Sequence, residues 1–154
     1  MKRILFVCLG NICRSPAAEG VLRVKAQERG VKVYIESAGT GAWHVGDPPD
    51  PRMIKAAGQR GYDLTYQRAR KVDLADFYEF DYLLAMDLAN HTDLLERAPP
   101  NRTSDIRLFL DFAECETRET PDPYYGGDRG FERVLDLIEL GAAGFLDHLE
   151  DESE

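Results

Sequence analysis

The feature that most constrains the fold is the first apolar run of the chain, KRILFVC at residues 2–8. Apolar and polar residues do not alternate in it, so the run predicts a strand that is buried on both faces. Strands of this kind occur in parallel sheets that helices cover on both sides. The start of the chain therefore indicates an α/β fold.

The rest of the chain alternates between strand-like and helix-like segments. Further strands are predicted at 33–37, 80–86 and 106–112, and helices at 53–60, 72–78 and 88–97, with two more opening at Ser15-Pro16 and at Asp128. Ser15 and Asp128 are predicted N-caps of those two helices. This alternation implies one doubly wound domain, a four-stranded parallel sheet flanked by helices on both faces. We predict the domain at 1–150 and an acidic tail at 151–154.

Charge and cysteine content exclude several classes of protein. Nineteen basic side chains stand against 28 acidic ones, a net charge of −9, whereas a nucleic-acid or anionic-membrane binder needs a basic face. The apolar run is too short to span a bilayer and lacks the features of a signal peptide. Three cysteines, an odd number, do not suit a disulfide framework. We therefore predict a cytoplasmic protein without nucleic-acid or membrane partners.

The segment between the first strand and the first helix has the pattern C-x5-R-S, at residues 8–15. A turn of this length can point its backbone N–H groups at one centre, and the helix that follows adds the positive end of its dipole. Such a site fits a tetrahedral dianion, and the planar guanidinium of Arg14 can bind two of its oxygens. The predicted phosphate-binding residues are Leu9, Gly10, Asn11, Ile12, Cys13 and Ser15.

The same segment supplies a nucleophile. A positive loop favours the thiolate of Cys8, and the Ser15 hydroxyl can donate a hydrogen bond to it. Gly10 and Asn11 are the residues best able to adopt the positive φ that a tight loop requires. Hydrolysis through a phosphocysteine also needs a proton donor for the leaving oxygen, and Asp122, between two prolines, is the candidate. The histidines show no ligand spacing with the cysteines, so neither a metal nor another cofactor is predicted.

On these residues the chain resembles the low-molecular-weight protein tyrosine phosphatases. The resemblance rests on VCLGNICRSP at 7–16, SAGT at 37–40, FDYLLAMD at 80–87 and DPYYG at 122–126, in the family's order and spacing. It implies a phosphatase that hydrolyses phosphotyrosine in proteins, with Cys8 as nucleophile, Arg14 binding phosphate and Asp122 as general acid. It also implies that Ser37 supports Asn11 and that Trp43 and Tyr124 flank the entrance.

One position departs from the family, and some alternatives stay open. Many members place a histidine where this chain has Gln67, a side chain that can still form hydrogen bonds. Cys13 is a filler, a metal ligand or a thiol that forms a disulfide with oxidised Cys8. The basic side chains at 68, 70 and 71 favour a solvated face over a docking patch.

Three other functions compete with the phosphotyrosine phosphatase. Arsenate reductases share the fold and the loop but need two further cysteines downstream, where this chain has only Cys115. Enzymes directed at phosphoarginine tend to have threonine in place of Ile12, whose apolar side chain suits an aromatic ring better. A module that binds phosphotyrosine without turnover has no need to retain Cys8, Arg14, Ser15 and Asp122 together.

Overall fold

A computed structural model describes residues 1–123 and 127–152 of the chain. Four strands, β1 (Lys2–Cys8), β2 (Val33–Gly39), β3 (Tyr82–Ala85) and β4 (Asp105–Leu108), form a sheet of order β2-β1-β3-β4. Every pairing in the sheet is parallel. β1 lies between two neighbours and its residues 4–7 are fully buried, which confirms the strand predicted from the apolar run.

Helices cover both faces of this sheet. They are α1 (Arg14–Arg29), α2 (Pro51–Gln59), α3 (Asp76–Glu79), α4 (Leu88–Arg97) and α5 (Gly127–Glu152). Ile4 and Phe6 of β1 pack into one core with apolar residues of α1, α2 and α5. Leu5 and Val7 point to the other face, into a second core that includes residues of α3 and α4. The predicted α/β class, with helices on both faces, is confirmed.

Several predicted boundaries were wrong for a common reason: burial continues beyond the regular element. The strand predicted at 106–112 ends at Leu108, and the chain turns into a 3-10 helix at Phe109–Phe112 whose first two residues remain buried. The helix predicted at 72–78 begins only at Asp76, because residues 71 and 72 extend alongside Gly39 at the end of β2. An apolar side chain can be buried in the core whether its backbone is extended or helical, so the apolar pattern does not show where an element ends.

The predicted helix ends also need correction. α1 begins at Arg14, so Ser15 lies inside the first turn and no side chain caps the helix. α5 begins at Gly127, which places Asp128 within the helix instead of before it, and it includes the first two residues of the tail predicted at 151–154. None of the helices in the described ranges has the length and apolar composition needed to cross a bilayer.

Candidate active site

The C-x5-R segment lies at the carboxyl end of β1, on the edge of the sheet where ligands bind in open α/β folds. A cavity of about 280 Å³ opens there. Its lining consists of Cys8, Leu9, Gly10, Ile12, Cys13, Arg14, Trp43, His44 and Asp122. Cys8, Arg14 and Asp122 therefore border one space, although 114 positions of sequence separate the first from the last.

Two hydrogen-bond donors point at the sulfur of Cys8. The backbone N–H of Asn11 lies 3.2 Å from Sγ, and the hydroxyl oxygen of Ser15 lies 3.0 Å from it. Asn11 Nδ2 donates to the same Ser15 oxygen at 2.9 Å. Since that oxygen already accepts from the amide, the hydroxyl proton of Ser15 is free to be donated to Cys8. Two hydrogen bonds can therefore be donated to this one sulfur.

The orientation of the Asn11 amide is fixed by its other partners. Its Oδ1 accepts from the backbone N–H of Arg70 at 3.0 Å, and this donor cannot reverse its role. Nδ2 therefore supplies both donated bonds, one to Ser15 and one to Ser37 Oγ at 2.9 Å. Asn11 is buried and has φ 57°, the only positive φ of a non-glycine residue in the described ranges. These bonds stabilise a backbone conformation that few side chains tolerate.

Gln67 completes this network from the other side. The Ser37 hydroxyl donates to Gln67 Oε1 at 3.3 Å, and Gln67 Nε2 donates to the carbonyl oxygen of Pro16 at 2.9 Å. A carbonyl can only accept, so the glutamine amide has a single satisfactory orientation. Gln67 thus forms hydrogen bonds at the position where the resembling family has histidine. Its fixed orientation determines which groups of the network donate and which accept.

Neighbouring segments also orient the backbone of the loop. The carbonyl groups of Cys8, Leu9 and Ile12 accept hydrogen bonds of 2.8–2.9 Å from the N–H groups of Thr40, Gly41 and Asp50. None of the described peptide bonds is cis, so the N–H of each following residue points to the opposite side. N–H groups that point away from these donors can bind an anion in the cavity.

Arg14 is held by an acidic residue that the sequence analysis did not identify. Its Nη1 donates to Asp87 Oδ2 at 2.6 Å and to the backbone oxygen of Thr120 at 3.1 Å, and the residue is only 5% exposed. Burial opposes the charge of Arg14, but the negative charge of Cys8 and the bond to Asp87 raise its pKa. A buried arginine needs an anionic partner. The sequence signal that could have identified Asp87 is its place just beyond the end of β3, at the edge of the sheet that also holds the loop.

The segment that precedes Asp122 is anchored to the sheet. The N–H of Thr120 donates to the backbone oxygen of Met86 at 2.7 Å, next to the Asp87 that binds Arg14. Asp122 is exposed and borders the cavity. Trp43, 73% exposed, forms another wall, and its ring covers Gly41, where any side chain would collide with it. Tyr124, the other predicted entrance residue, lies outside the described residues.

The two remaining cysteines differ in their surroundings. Cys13 is a buried member of the loop, and burial together with the negative charge of Asp50 raises the pKa of its thiol. Its resting form is therefore the thiol, a poor nucleophile. Cys115 is half-buried and donates to the carbonyl of Thr117 at 3.0 Å. No group of three or more potential metal ligands occurs among the residues that the structure describes.

Comparisons with known proteins agree with this geometry. A family model described as low molecular weight phosphotyrosine protein phosphatase matches residues 3–154. The chain is 44% identical over 151 residues to a putative low molecular weight protein-tyrosine-phosphatase of Synechocystis sp., with 96% of each chain covered. It is similar to the crystal structure of an Entamoeba histolytica protein tyrosine phosphatase with Hepes in the active site, at TM-score 0.95 and 42% identity over 100% of both chains. It is also similar to a Drosophila arginine phosphatase, at TM-score 0.91 and 35% identity, covering 97% of this chain and 98% of that one.

Proposed function

The chain belongs to the low molecular weight phosphotyrosine protein phosphatase family, and from that membership we propose how its residues carry out the reaction. The protein is a cysteine-dependent protein-tyrosine phosphatase. The observation that supports the mechanism most directly is the pair of donors on Cys8 Sγ, in a cavity shared with Arg14 and Asp122. We assign the nucleophile to Cys8, phosphate binding to Arg14 and the loop N–H groups, and proton transfer to Asp122.

In the first step the Cys8 thiolate attacks phosphorus. The S–P bond forms, the bond from phosphorus to the tyrosine oxygen breaks, and protonated Asp122 gives its proton to that oxygen. Arg14 contacts its protein partners through Nη1, so its Nε and Nη2 can bind two phosphoryl oxygens. The inward N–H groups of the loop stabilise the charge that develops on those oxygens.

In the second step water releases the phosphate. The Asp122 carboxylate accepts a proton from the water molecule, whose oxygen attacks phosphorus while the S–P bond breaks. The departing thiolate then regains the hydrogen bonds from Ser15 and Asn11. Those donors stabilise Cys8 both as the attacking group and as the leaving group.

The walls of the cavity support an aromatic ester as the substrate. Ile12 contributes an apolar, half-buried surface, and Trp43 contributes its indole ring. A phenyl ring packs well between such walls. We propose that the enzyme acts on tyrosine-phosphorylated proteins in the cytoplasm, where a nucleophilic thiol stays reduced.

The deciding experiment is hydrolysis of para-nitrophenyl phosphate with chelator and reductant present. We expect turnover by the wild-type protein and none by Cys8→Ser, because a hydroxyl cannot replace the thiolate at neutral pH. Cys115→Ser is the matched control, since it removes a thiol outside the cavity and should keep full activity. Activity that survives in Cys8→Ser, or a folded wild-type chain without turnover, would contradict the mechanism.

The likeness to the Drosophila arginine phosphatase makes phosphoarginine the second candidate substrate. The apolar Ile12 in the cavity wall favours a phenyl ring over a charged guanidinium group. We therefore expect a higher kcat/KM on a phosphotyrosine peptide than on the matching phosphoarginine peptide. The variant Ile12→Thr should narrow that ratio, and a wild-type preference for phosphoarginine would reverse the assignment.

A further inference from the structure

The backbone of residue 70 is the junction between the phosphate-binding loop and the sheet. Its N–H donates to Asn11 Oδ1 at 3.0 Å, and its carbonyl accepts from the N–H of Gly39, the last residue of β2, at 2.8 Å. The first of these bonds fixes the orientation of the Asn11 amide. The position of this one peptide segment therefore affects how donors are presented to Cys8.

Residues 67–70 form neither helix nor strand, and on the β2 side the backbone of residue 70 is held by its bond to Gly39. The side chain of Arg70 adds a second attachment. The Arg70 guanidinium makes two parallel bonds to Asp76, Nη1 to Oδ2 at 2.9 Å and Nη2 to Oδ1 at 3.0 Å. Two such bonds restrict rotation as well as distance, which a single ion pair does not.

The Asp76 carboxylate is itself held in place by burial and by a second hydrogen bond. Its side chain is only 3% exposed, and its Oδ2 also accepts from the backbone N–H of Asp73 at 2.9 Å. The residue opens α3 and is followed directly by Phe77, which is buried in the second core. Glu36 forms a second ion pair with Arg70 but differs in that its side chain is 35% exposed and lies 3.4 Å from the guanidinium.

These contacts form a continuous path from Asp76 through Arg70 and Asn11 to Cys8. We propose that Asp76 and Arg70 are positioning residues of the phosphatase reaction: their two-bond ion pair sets the place of the Arg70 peptide and thereby aims the Asn11 and Ser15 donors at the Cys8 sulfur. Neither residue touches the substrate. The inference rests on the role of Cys8 proposed above.

The test compares Asp76→Asn with Glu36→Gln, which removes the exposed acid from the same guanidinium. The first readout is the rate of Cys8 alkylation by iodoacetate as a function of pH, which follows the thiolate without needing turnover. In Asp76→Asn we expect the midpoint of that profile to rise by roughly 0.4–1.5 pH units. We also expect kcat for para-nitrophenyl phosphate to fall roughly 2- to 30-fold. Glu36→Gln should match the wild type in both measurements.

Arg70→Lys provides a second variant in case Asp76→Asn does not fold, as judged by near-ultraviolet circular dichroism. Lysine keeps the charge but cannot form two parallel bonds, so the alkylation midpoint of Arg70→Lys should also rise above that of the wild type. An unshifted midpoint in a folded Asp76→Asn or Arg70→Lys protein would overturn the proposal, as would an equal shift in Glu36→Gln. Failure of the proposed function would appear separately, as absent turnover in the wild-type protein.

Discussion

The substitution Asp87→Asn isolates the charge of the carboxylate that binds Arg14. Asp87 has two tasks: Oδ1 caps α4 by accepting from the N–H of Asn90 at 2.8 Å, and Oδ2 accepts from Arg14 at 2.6 Å. Asparagine caps helices as well as aspartate does. When the one oxygen of the asparagine caps the helix, however, its NH2 group faces Arg14. Both the NH2 group and the guanidinium are then donors, so no hydrogen bond can form between them.

The expected loss of stability follows from the burial of Arg14. Removing one partner of a fully buried ion pair costs about 3–5 kcal/mol. Arg14 keeps its bond to the Thr120 carbonyl, and the side chain of Asp87 is 21% exposed, so the value here should be smaller. A hydrogen bond to a charged group contributes about 1.5–3 kcal/mol, and we expect a loss of about 2–3 kcal/mol. For a chain of this size that lowers Tm by about 4–12 °C.

The assay is thermal unfolding in a buffer free of oxyanions, with Glu116→Gln as the control. Glu116 pairs with Arg133 at the same 2.6 Å, but these side chains are 69% and 54% exposed. An exposed pair contributes only about 0–1 kcal/mol, so the two variants differ mainly in burial. Inorganic phosphate replaces the lost negative charge and should raise the Tm of Asp87→Asn more than that of the wild type. Equal Tm values for Asp87→Asn and Glu116→Gln would refute the reasoning.

Three further predictions concern the acid, the entrance and pH. Asp122→Asn should lower kcat on an alkyl phosphate by about 10²–10⁴ but much less on para-nitrophenyl phosphate, whose phenolate leaves easily; equal losses would exclude the acid role. Trp43→Ala should raise KM for a phosphotyrosine peptide about 2- to 12-fold while unfolding experiments show stability within about 0.5 kcal/mol of the wild type. Burial raises the pKa of Glu19 above its unfolded value, so the folded state binds more protons, and stability falls as pH rises from about 4 through the folded pKa. Glu19→Gln should lack this loss when urea unfolding is compared at pH 4 and pH 7.

Local features of the sequence predicted much of the fold and of the site. The unbroken apolar run of β1 identified a strand buried on both faces, and the alternation that followed identified a parallel sheet between helices. The C-x5-R spacing identified the loop, because a short turn between a strand and a helix brings N–H groups and a side chain to one centre. Asn11 was predicted as a residue able to adopt positive φ, and it does so, whereas Gly10, predicted together with it, has no positive φ.

Predictions that depended on a residue's partner were less successful. Serine is a residue type that favours the N-cap position, yet the Ser15 hydroxyl contacts Cys8 and Asn11 and does not cap the helix. Arg70 belonged to a cluster expected to be solvated, but it binds a buried aspartate on a different element. In both cases the residue type predicts hydrogen bonding without specifying the partner.

The division between sequence and structure follows from the range of the interactions involved. Burial pattern, loop length and backbone preference are properties of neighbouring residues, so the sequence alone predicted the sheet, the loop and the candidate nucleophile. The pairing of Arg14 with Asp87 spans 73 positions, and its bond to Thr120 spans 106. Those partners meet only because parallel pairing brings the ends of β1 and β3 to one edge of the sheet, and that arrangement is decided by the packing of the whole chain.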